Sequence, residues 1–223
     1  MSLLDLLCPA RCEGCGVPGG LICRSCRSPL TARPRPHRPA PCPPGLPPLW
    51  VVTDYVGAVR ELLLGFKERG VTGLADSLAR PLAAATLAAA SPPIGQPVVV
   101  VPVPSQRAAV RRRGDDVVAL LARRTARELR RSGVDARAVP ALVHRRPVAD
   151  SAGLSAVERS ANLRGALTVV PWLAATLCPH EVVVVDDLVT TGATLCEATR
   201  ALAASGIAVA GAATLAATRR RCA

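Results

Sequence analysis

The stretch that decides the fold is Val182–Thr194, VVVVDDLVTTGAT. Four consecutive valines suit a strand buried on both faces, because β-branched side chains pack well on a pleat and no polar residue alternates with them. Asp186 and Asp187 follow at the carboxyl end of that strand, the end at which open α/β sheets bind ligands. Thr190, Thr191, Gly192, Ala193 and Thr194 then form a loop that runs directly into a helix. Three threonine hydroxyls can donate hydrogen bonds, Gly192 lets a ligand approach the backbone, and the helix N-terminus presents unpaired N–H groups to an anion. Together they describe a pocket for one phosphate. The two carboxylates can accept hydrogen bonds from a vicinal diol, as on ribose, or help hold a divalent cation. Simple capping of a turn and a helix by Asp187 and Thr190 is the competing reading. The succession of four apolar residues, two acids and TTGAT favours the phosphate and ribose pocket.

Outward from this point the chain alternates strand and helix from about Trp50 onward. Strands are predicted over Leu49 to Asp54, Val98 to Val103, Ala138 to Val143, Ala166 to Val170, Val182 to Val185 and Ile207 to Thr214. Helices are predicted over Val56 to Phe66, Leu74 to Ala90, Gln106 to Arg131 (at least its second half) and Thr194 to Ala204, the last closed by Gly206. Repeated strand–helix–strand units imply a mainly parallel, doubly wound α/β sheet. Upstream, residues 28–48 hold nine of the 21 prolines, a density that reads as an extended linker without helix or sheet ladder. The expected organisation is a cysteine module over 1–27, this linker over 28–48, and the α/β domain over 49–223.

Composition narrows the chemistry. Half of the 223 residues are apolar, so a sizeable core is available and wholesale disorder is excluded. Aromatics are 2%, which argues against a single-strand binder built on stacking platforms. The net charge of +12 rests almost wholly on arginine, since Lys67 is the only lysine. An Ala- and Arg-rich composition accounts for part of it, and local clusters carry the meaning. The strongest is residues 105–146, with 12 arginines against four acids. Guanidinium groups grip phosphate oxygens in bidentate fashion and stay charged, so this stretch is a candidate pyrophosphate clamp. Arg123, Arg124, Arg127, Arg130 and Arg131, spread around a helix, read instead as a solvated face. Lys67, Glu68 and Arg69 close the first helix, where basic residues offset the macrodipole.

Five of nine cysteines fall within residues 8–26. Two C-x2-C pairs, Cys12 with Cys15 and Cys23 with Cys26, match the knuckles of a tetrahedral four-cysteine Zn2+ site. Redox pairing of the thioredoxin kind is the rival. Four ligands close a tetrahedron, which leaves Cys8 as a packing residue; Cys42, Cys178, Cys196 and Cys222 are scattered. The longest uncharged run, Pro81 to Gln106, is broken by Pro92, Pro93, Pro97, Pro102 and Pro104, and the N-terminus lacks the basic start of a signal peptide. A cytoplasmic protein is the expectation, and its thiols are then metal ligands or buried side chains rather than disulfides.

VVVVDDLVTTGAT is similar to the 13-residue phosphoribosyl pyrophosphate signature of type I phosphoribosyltransferases. The paired cysteines, DYVGAVRELLLGFKERG (Asp54 to Gly70), VPVPSQRAAVRRRG (Val101 to Gly114) and VADSAGLSAVERSANLRGAL (Val148 to Leu167) extend the likeness. With them the chain resembles the ComF family of bacterial competence-associated, phosphoribosyltransferase-like proteins, over nearly its whole length apart from the proline-rich stretch. The resemblance implies that Asp186 and Asp187 contact the ribose 2′- and 3′-hydroxyls and that Thr190 to Thr194 enclose the 5′-phosphate. It implies a pyrophosphate loop of Ser105, Gln106 and Arg107, with Arg112, Arg113 and Gly114 on a mobile cover. Two departures stand out. Asp115–Asp116 follow Arg113–Gly114 where the family often has an aromatic and Asn or Asp, and Ser151 stands where Gln is common. Arg159 and Asn162 match, on a short helix that Ser155 and Glu158 would start.

The expected function is binding of phosphoribosyl pyrophosphate with Mg2+, and transfer of its phosphoribosyl group to an acceptor that the residues do not identify; no general base is evident. Two other classes stay open. One is a regulator that binds the same ligand without turnover. The other is a DNA-uptake or repair accessory factor whose cysteine module and basic helix meet nucleic acid or a helicase-like partner.

Overall fold

Two valine-rich strands form the middle of the sheet, and the rest of the chain is wound around them. The computed structural model describes residues 10–90, 96–146, 156–178 and 180–218. Its strands are β1 (Arg35–Pro36), β2 (Leu49–Asp54), β3 (Val98–Pro102), β4 (Ala136–Ala138), β5 (Leu142–His144), β6 (Leu167–Val169), β7 (Glu181–Val189) and β8 (Gly211–Ala217). Six of them make one sheet in the order β1-β2-β8-β7-β3-β4, parallel throughout except for the edge strand β1; β5 and β6 form a separate antiparallel pair. The helices are α1 (Arg24–Arg27), α2 (Gly57–Lys67), α3 (Ala75–Ala90), α4 (Arg107–Arg113), α5 (Val117–Arg131), α6 (Ala156–Leu163), α7 (Pro171–Ala174) and α8 (Ala193–Ala203).

Strand periodicity of two sends successive valines to opposite faces. Val98, Val100, Val183 and Val185 enter one core with Leu62 and Phe66 of α2, Leu78 and Leu82 of α3, and Leu121 of α5. Val99, Val101, Val182 and Val184 enter the other with Leu195 and Leu202 of α8 and Leu142 and Leu167 of the β5–β6 pair. Both faces are covered, which is why these strands carry no polar alternation. Cys12, Cys26 and Leu30 belong to the first core, so the cysteine module is built into the α/β domain. No helix among the described residues is long and apolar enough to cross a membrane.

Several boundaries differ from the sequence expectation. The predicted Ala138 to Val143 strand is two pieces, because Val139 keeps one more bond to Val100 before Pro140 turns the chain towards β6. β7 continues to Val189, since β8 accompanies it as far as Ala217. Ile207 is buried but belongs to the end of α8, where its N–H donates to the Leu202 carbonyl past Gly206 at φ +76°; strand pairing begins only at Gly211. The proline-rich stretch does keep a short ladder, Arg35 with Val51 and Pro36 with Trp50. It lies at the sheet edge, where a residue without an N–H is tolerated.

One buried group in this core is unmatched. Thr125 on α5 is fully buried, and its hydroxyl has no hydrogen-bond partner among the described residues. Thr125→Val keeps the shape and removes the desolvated hydroxyl. Chemical denaturation should show a gain of about 1 kcal/mol; a loss of that size would mean the hydroxyl is satisfied.

Candidate functional site

The connections from β3 and β7 leave the sheet in opposite directions. From β3 the chain passes through α4 and α5 to β4 on one side, and from β7 through α8 to β8 on the other. Neighbouring loops that diverge in this way open a crevice at the carboxyl edge of the sheet, the usual ligand position. The last bond between the two strands runs from the Val103 N–H to the Val185 carbonyl, 2.9 Å. Past that point β7 continues with β8 alone, and its next residues are Asp186 and Asp187.

Both acids are buried, Asp186 at 8% exposure and Asp187 at 1%. Lys67, the last residue of α2, reaches across to them, its Nζ donating to Asp187 Oδ1 at 2.7 Å with 38% of its own side chain exposed. The macrodipole role expected of Lys67 is therefore secondary; its ammonium is the counter-ion of the acid pair. Burial alone would raise Asp187, but the Lys67 charge together with hydrogen bonds from Lys67, Asp186 and the backbone outweighs it and holds this carboxyl below the usual carboxylate range. Asp186 is pushed well above that range, by burial first and then by the negative charge of Asp187. Burial works against the Lys67 ammonium, yet the two acids outweigh it and raise its pKa. The two acids are thus driven apart, Asp186 upward and Asp187 downward, with the Asp187 N–H donating to Asp186 Oδ1 at 2.8 Å.

The threonine loop follows directly. Thr190 is exposed, Thr191 and Thr194 are half-buried, and Ala193 is the buried first residue of α8. The Ala193 N–H donates to the Thr191 hydroxyl at 3.4 Å. Gly192 sits at φ +79°, a left-handed conformation that favours glycine. A Cβ there would also stand 3.0 Å from Leu46 Cδ1 and 3.5 Å from both Pro39 Cγ and Pro43 Cγ. The proline-rich stretch accordingly forms one wall of this loop.

The loop after β3 is held by two side chains. Ser105 donates its N–H to Asp116 Oδ2 (3.1 Å) and its hydroxyl to Asp116 Oδ1 (2.8 Å). The same Asp116 caps α5 by accepting from the Val118 and Ala119 N–H groups, both at 3.1 Å. His144 of β5 donates from Nε2 to the Pro104 carbonyl at 3.1 Å. Gln106 is exposed at the start of α4, Arg107 and Arg113 are its first and last residues, and Gly114 ends it at φ +84°. The exposed Arg112 guanidinium donates to Glu68 Oε2 at 3.2 Å, which ties the basic helix to the end of α2.

Residues 153–222, less than a third of the chain, match the family model described as phosphoribosyl transferase domain. That match spans the acid pair, the threonine loop, α8 and β8. The fold is that of a type I phosphoribosyltransferase-like protein. No curated protein matches the chain.

Beside this phosphoribosyltransferase-like sheet, Cys12, Cys15, Cys23 and Cys26 bring their four Sγ atoms within 4.8 Å of one another. Ideal tetrahedral geometry with Zn–S bonds of about 2.3 Å puts sulfurs ~3.8 Å apart, and Cys15 Sγ lies 3.6 Å from Cys23 Sγ. The Cys23 N–H donates to Cys12 Sγ (3.3 Å), and the Gly16 N–H returns to the Cys12 carbonyl (2.7 Å) as a tight knuckle. Ser25, 3.0 Å from Cys23 Sγ, is the main cause that lowers this thiol to about 6, towards the thiolate a metal needs. Four converging sulfurs with no open position suit a closed structural metal such as zinc.

The carboxyl edge of the sheet thus gathers residues that the sequence places 120 positions apart, in Lys67 and Asp187. Two contributors were not legible as such. Lys67 resembles any helix-ending lysine, although its being the only one in the chain is a signal. His144 shows no ligand pattern, and only the pairing of β5 with β6 brings it to Pro104. Val148 to Ser155, including Ser151, lie outside the described residues, as do Cys8 and Cys222.

Proposed function

We propose that this chain binds phosphoribosyl pyrophosphate with Mg2+ at the carboxyl edge of β3 and β7 and transfers the phosphoribosyl group to a nucleophilic acceptor. The observation that carries this reading is the buried acid pair on the β7 overhang, followed at once by a threonine loop at a helix N-terminus in which Thr190 is exposed. Asp187, oriented by Lys67 on one oxygen, keeps lone pairs for a ribose hydroxyl, because a carboxylate accepts at about four sites. Asp186 supplies the second acceptor once its proton leaves. Thr190, Thr191 and Thr194, with the α8 N-terminus, receive the 5′-phosphate. Ser105, Gln106 and Arg107 supply the loop for the pyrophosphate, and Arg112 and Arg113 follow on α4. Adjacent carboxylates are hard oxygen donors of the kind Mg2+ takes, so Asp186 and Asp187 would help hold it, and it would supply charge neutralisation for the leaving pyrophosphate.

In the transfer the anomeric C–O bond breaks and pyrophosphate departs with the bonding pair. The acceptor lone pair forms the new bond, and its proton passes to solvent. The chain contributes positioning and charge stabilisation. Calorimetric titration with phosphoribosyl pyrophosphate and Mg2+ tests binding, and pyrophosphate release across a panel of bases and amines separates a transferase from a binding regulator. The ComF resemblance supports a cytoplasmic role in DNA uptake. Direct DNA contact is the second reading, favoured by Arg123 and Arg127 exposed on α5; salt-sensitive DNA binding that survives Asp186→Ala would support it.

The acid pair makes binding pH-dependent. Asp186 has a raised folded pKa, so its stabilising contribution is full below about pH 4, the unfolded value, and is lost as pH rises through the folded value. Asp187 is the opposite case: depressed, it stabilises above the unfolded value and loses that contribution as pH falls through the folded one. A ligand that needs both carboxylates must expel the Asp186 proton. Affinity should therefore climb with pH until Asp186 is ionised and then level off. Titrations in two buffers of different ionisation enthalpy should show proton release of up to about one per ligand, absent in Asp186→Asn; identical heats in both buffers would refute it.

A further inference from the structure

The cysteine module does not merely touch α2; it fixes the helix along its length. A Cβ on Gly14 would lie 2.9 Å from Cys26 Sγ and 3.3 Å from the Ala58 Cβ, near the start of α2. One on Gly65, near its end, would lie 2.8 Å from Glu13 Oε2, and one on Gly73, just beyond, 2.6 Å from Leu21 Cδ1. At Gly14, Gly65 and Gly73 an added side chain would have to displace Cys26, Glu13 or Leu21. Glu13, inside the CEGC knuckle, accepts from Arg69 NH2 at 2.8 Å and Nε at 3.3 Å, and Arg69 also donates to the Glu61 carbonyl at 3.1 Å. The Glu13 N–H bonds the Leu21 carbonyl at 3.0 Å, joining the two knuckles.

Three consecutive residues then point to three places. Lys67 holds Asp187, Glu68 holds Arg112 of the basic helix, and Arg69 holds Glu13 of the module. We infer that metal binding at Cys12, Cys15, Cys23 and Cys26 and ligand binding at the site beside the acid pair are positively coupled through α2, so that the metal sets the affinity of the ligand site. The inference rests on the proposed ligand site and adds its regulation. Metal occupancy fixes the relative position of the two knuckles, the knuckles fix the axial position of α2, and α2 delivers Lys67 to Asp187. Without the metal the helix end is released, Asp187 loses its orientation, and the crevice loses a cation that favours phosphates. Coupling is reciprocal, so the ligand must tighten metal binding by the same factor.

The experiment uses the full chain with zinc bound. Glu13→Gln and Arg69→Met leave every thiol in place, so metal analysis should still return about one zinc per chain. Titration with phosphoribosyl pyrophosphate and Mg2+ should nevertheless show affinity weakened by roughly five- to tenfold. In a Lys67→Met background, Glu13→Gln should add nothing further. Competition with a zinc-selective chelator should show zinc held tighter, by the same factor, when phosphoribosyl pyrophosphate is present. Unchanged affinity in Glu13→Gln and Arg69→Met, with Lys67→Met still weakened, would overturn the coupling and leave the site standing. Unchanged affinity in Asp187→Asn would overturn the site reading and the coupling with it.

Discussion

Asp187→Asn is expected to weaken binding of phosphoribosyl pyrophosphate by about 100-fold, equivalent to ~2.7 kcal/mol, while circular dichroism still shows the parent fold and the melting temperature falls as the ion pair to Lys67 is lost. Asp187 accepts from Lys67 at 2.7 Å, and that ammonium favours its charged form; under the proposed function it is the carboxylate that receives a ribose hydroxyl. Hydrogen bonds to a charged partner contribute about 1.5–3 kcal/mol each, and a neutral amide forfeits most of that. The fold survives because asparagine keeps the volume and an acceptor oxygen, and because Lys67, more than a third exposed, can turn its ammonium to water. Lys67→Met should weaken binding less, since it removes the orienting cation and leaves the acceptor. If Asp187→Asn binds as tightly as the parent, the ligand does not sit on the β7 overhang.

The fold was legible where packing is strictly local. Runs of valine buried on both faces can only be central parallel strands, and the acids and threonines that follow mark the crevice through their order alone. Gly206 and the α8 end were readable for the same reason, since a left-handed residue after a helix requires glycine. What could not be read depends on partners far away in the chain. The length of β7 is decided by β8, which accompanies it to Val189, and not by the four valines. The break at Pro140 shows only once β5 is seen leaving the main sheet to pair with β6. Asp116, which looked like a departure in a mobile cover, turns out to hold Ser105 and cap α5 together. Of the five arginines read as a solvated face, Arg124 pairs with Asp76 and Arg131 with Glu128, and Arg130 bonds the Ala136 carbonyl. The β3 loop lies outside the matched residues 153–222, and its place beside the acid pair follows from the sheet order alone.

Removing the metal from the cysteine cluster should lower the melting temperature of the whole chain, and Cys26→Ser should do the same. A small module on a flexible linker would melt alone, with no effect on the rest. Here Cys12 and Cys26 lie within the same core as Phe66 and Leu82, and the knuckle is seated on α2 through Gly14 and Gly65. Structural zinc supplies about 10–16 kcal/mol of apparent binding free energy in isolated fingers. If even a third is shared with this core, ~3–5 kcal/mol of global stability depends on the metal. At roughly 2–4 °C per kcal/mol for a chain of this size, the melting temperature falls by about 6–20 °C. Calorimetry of the parent with and without a zinc chelator, alongside Cys26→Ser, measures it. A melting temperature unchanged while zinc is lost would show that the shared core is not held by the metal. Freshly reduced parent protein that contains no zinc would leave the four thiols to the redox chemistry their spacing also permits.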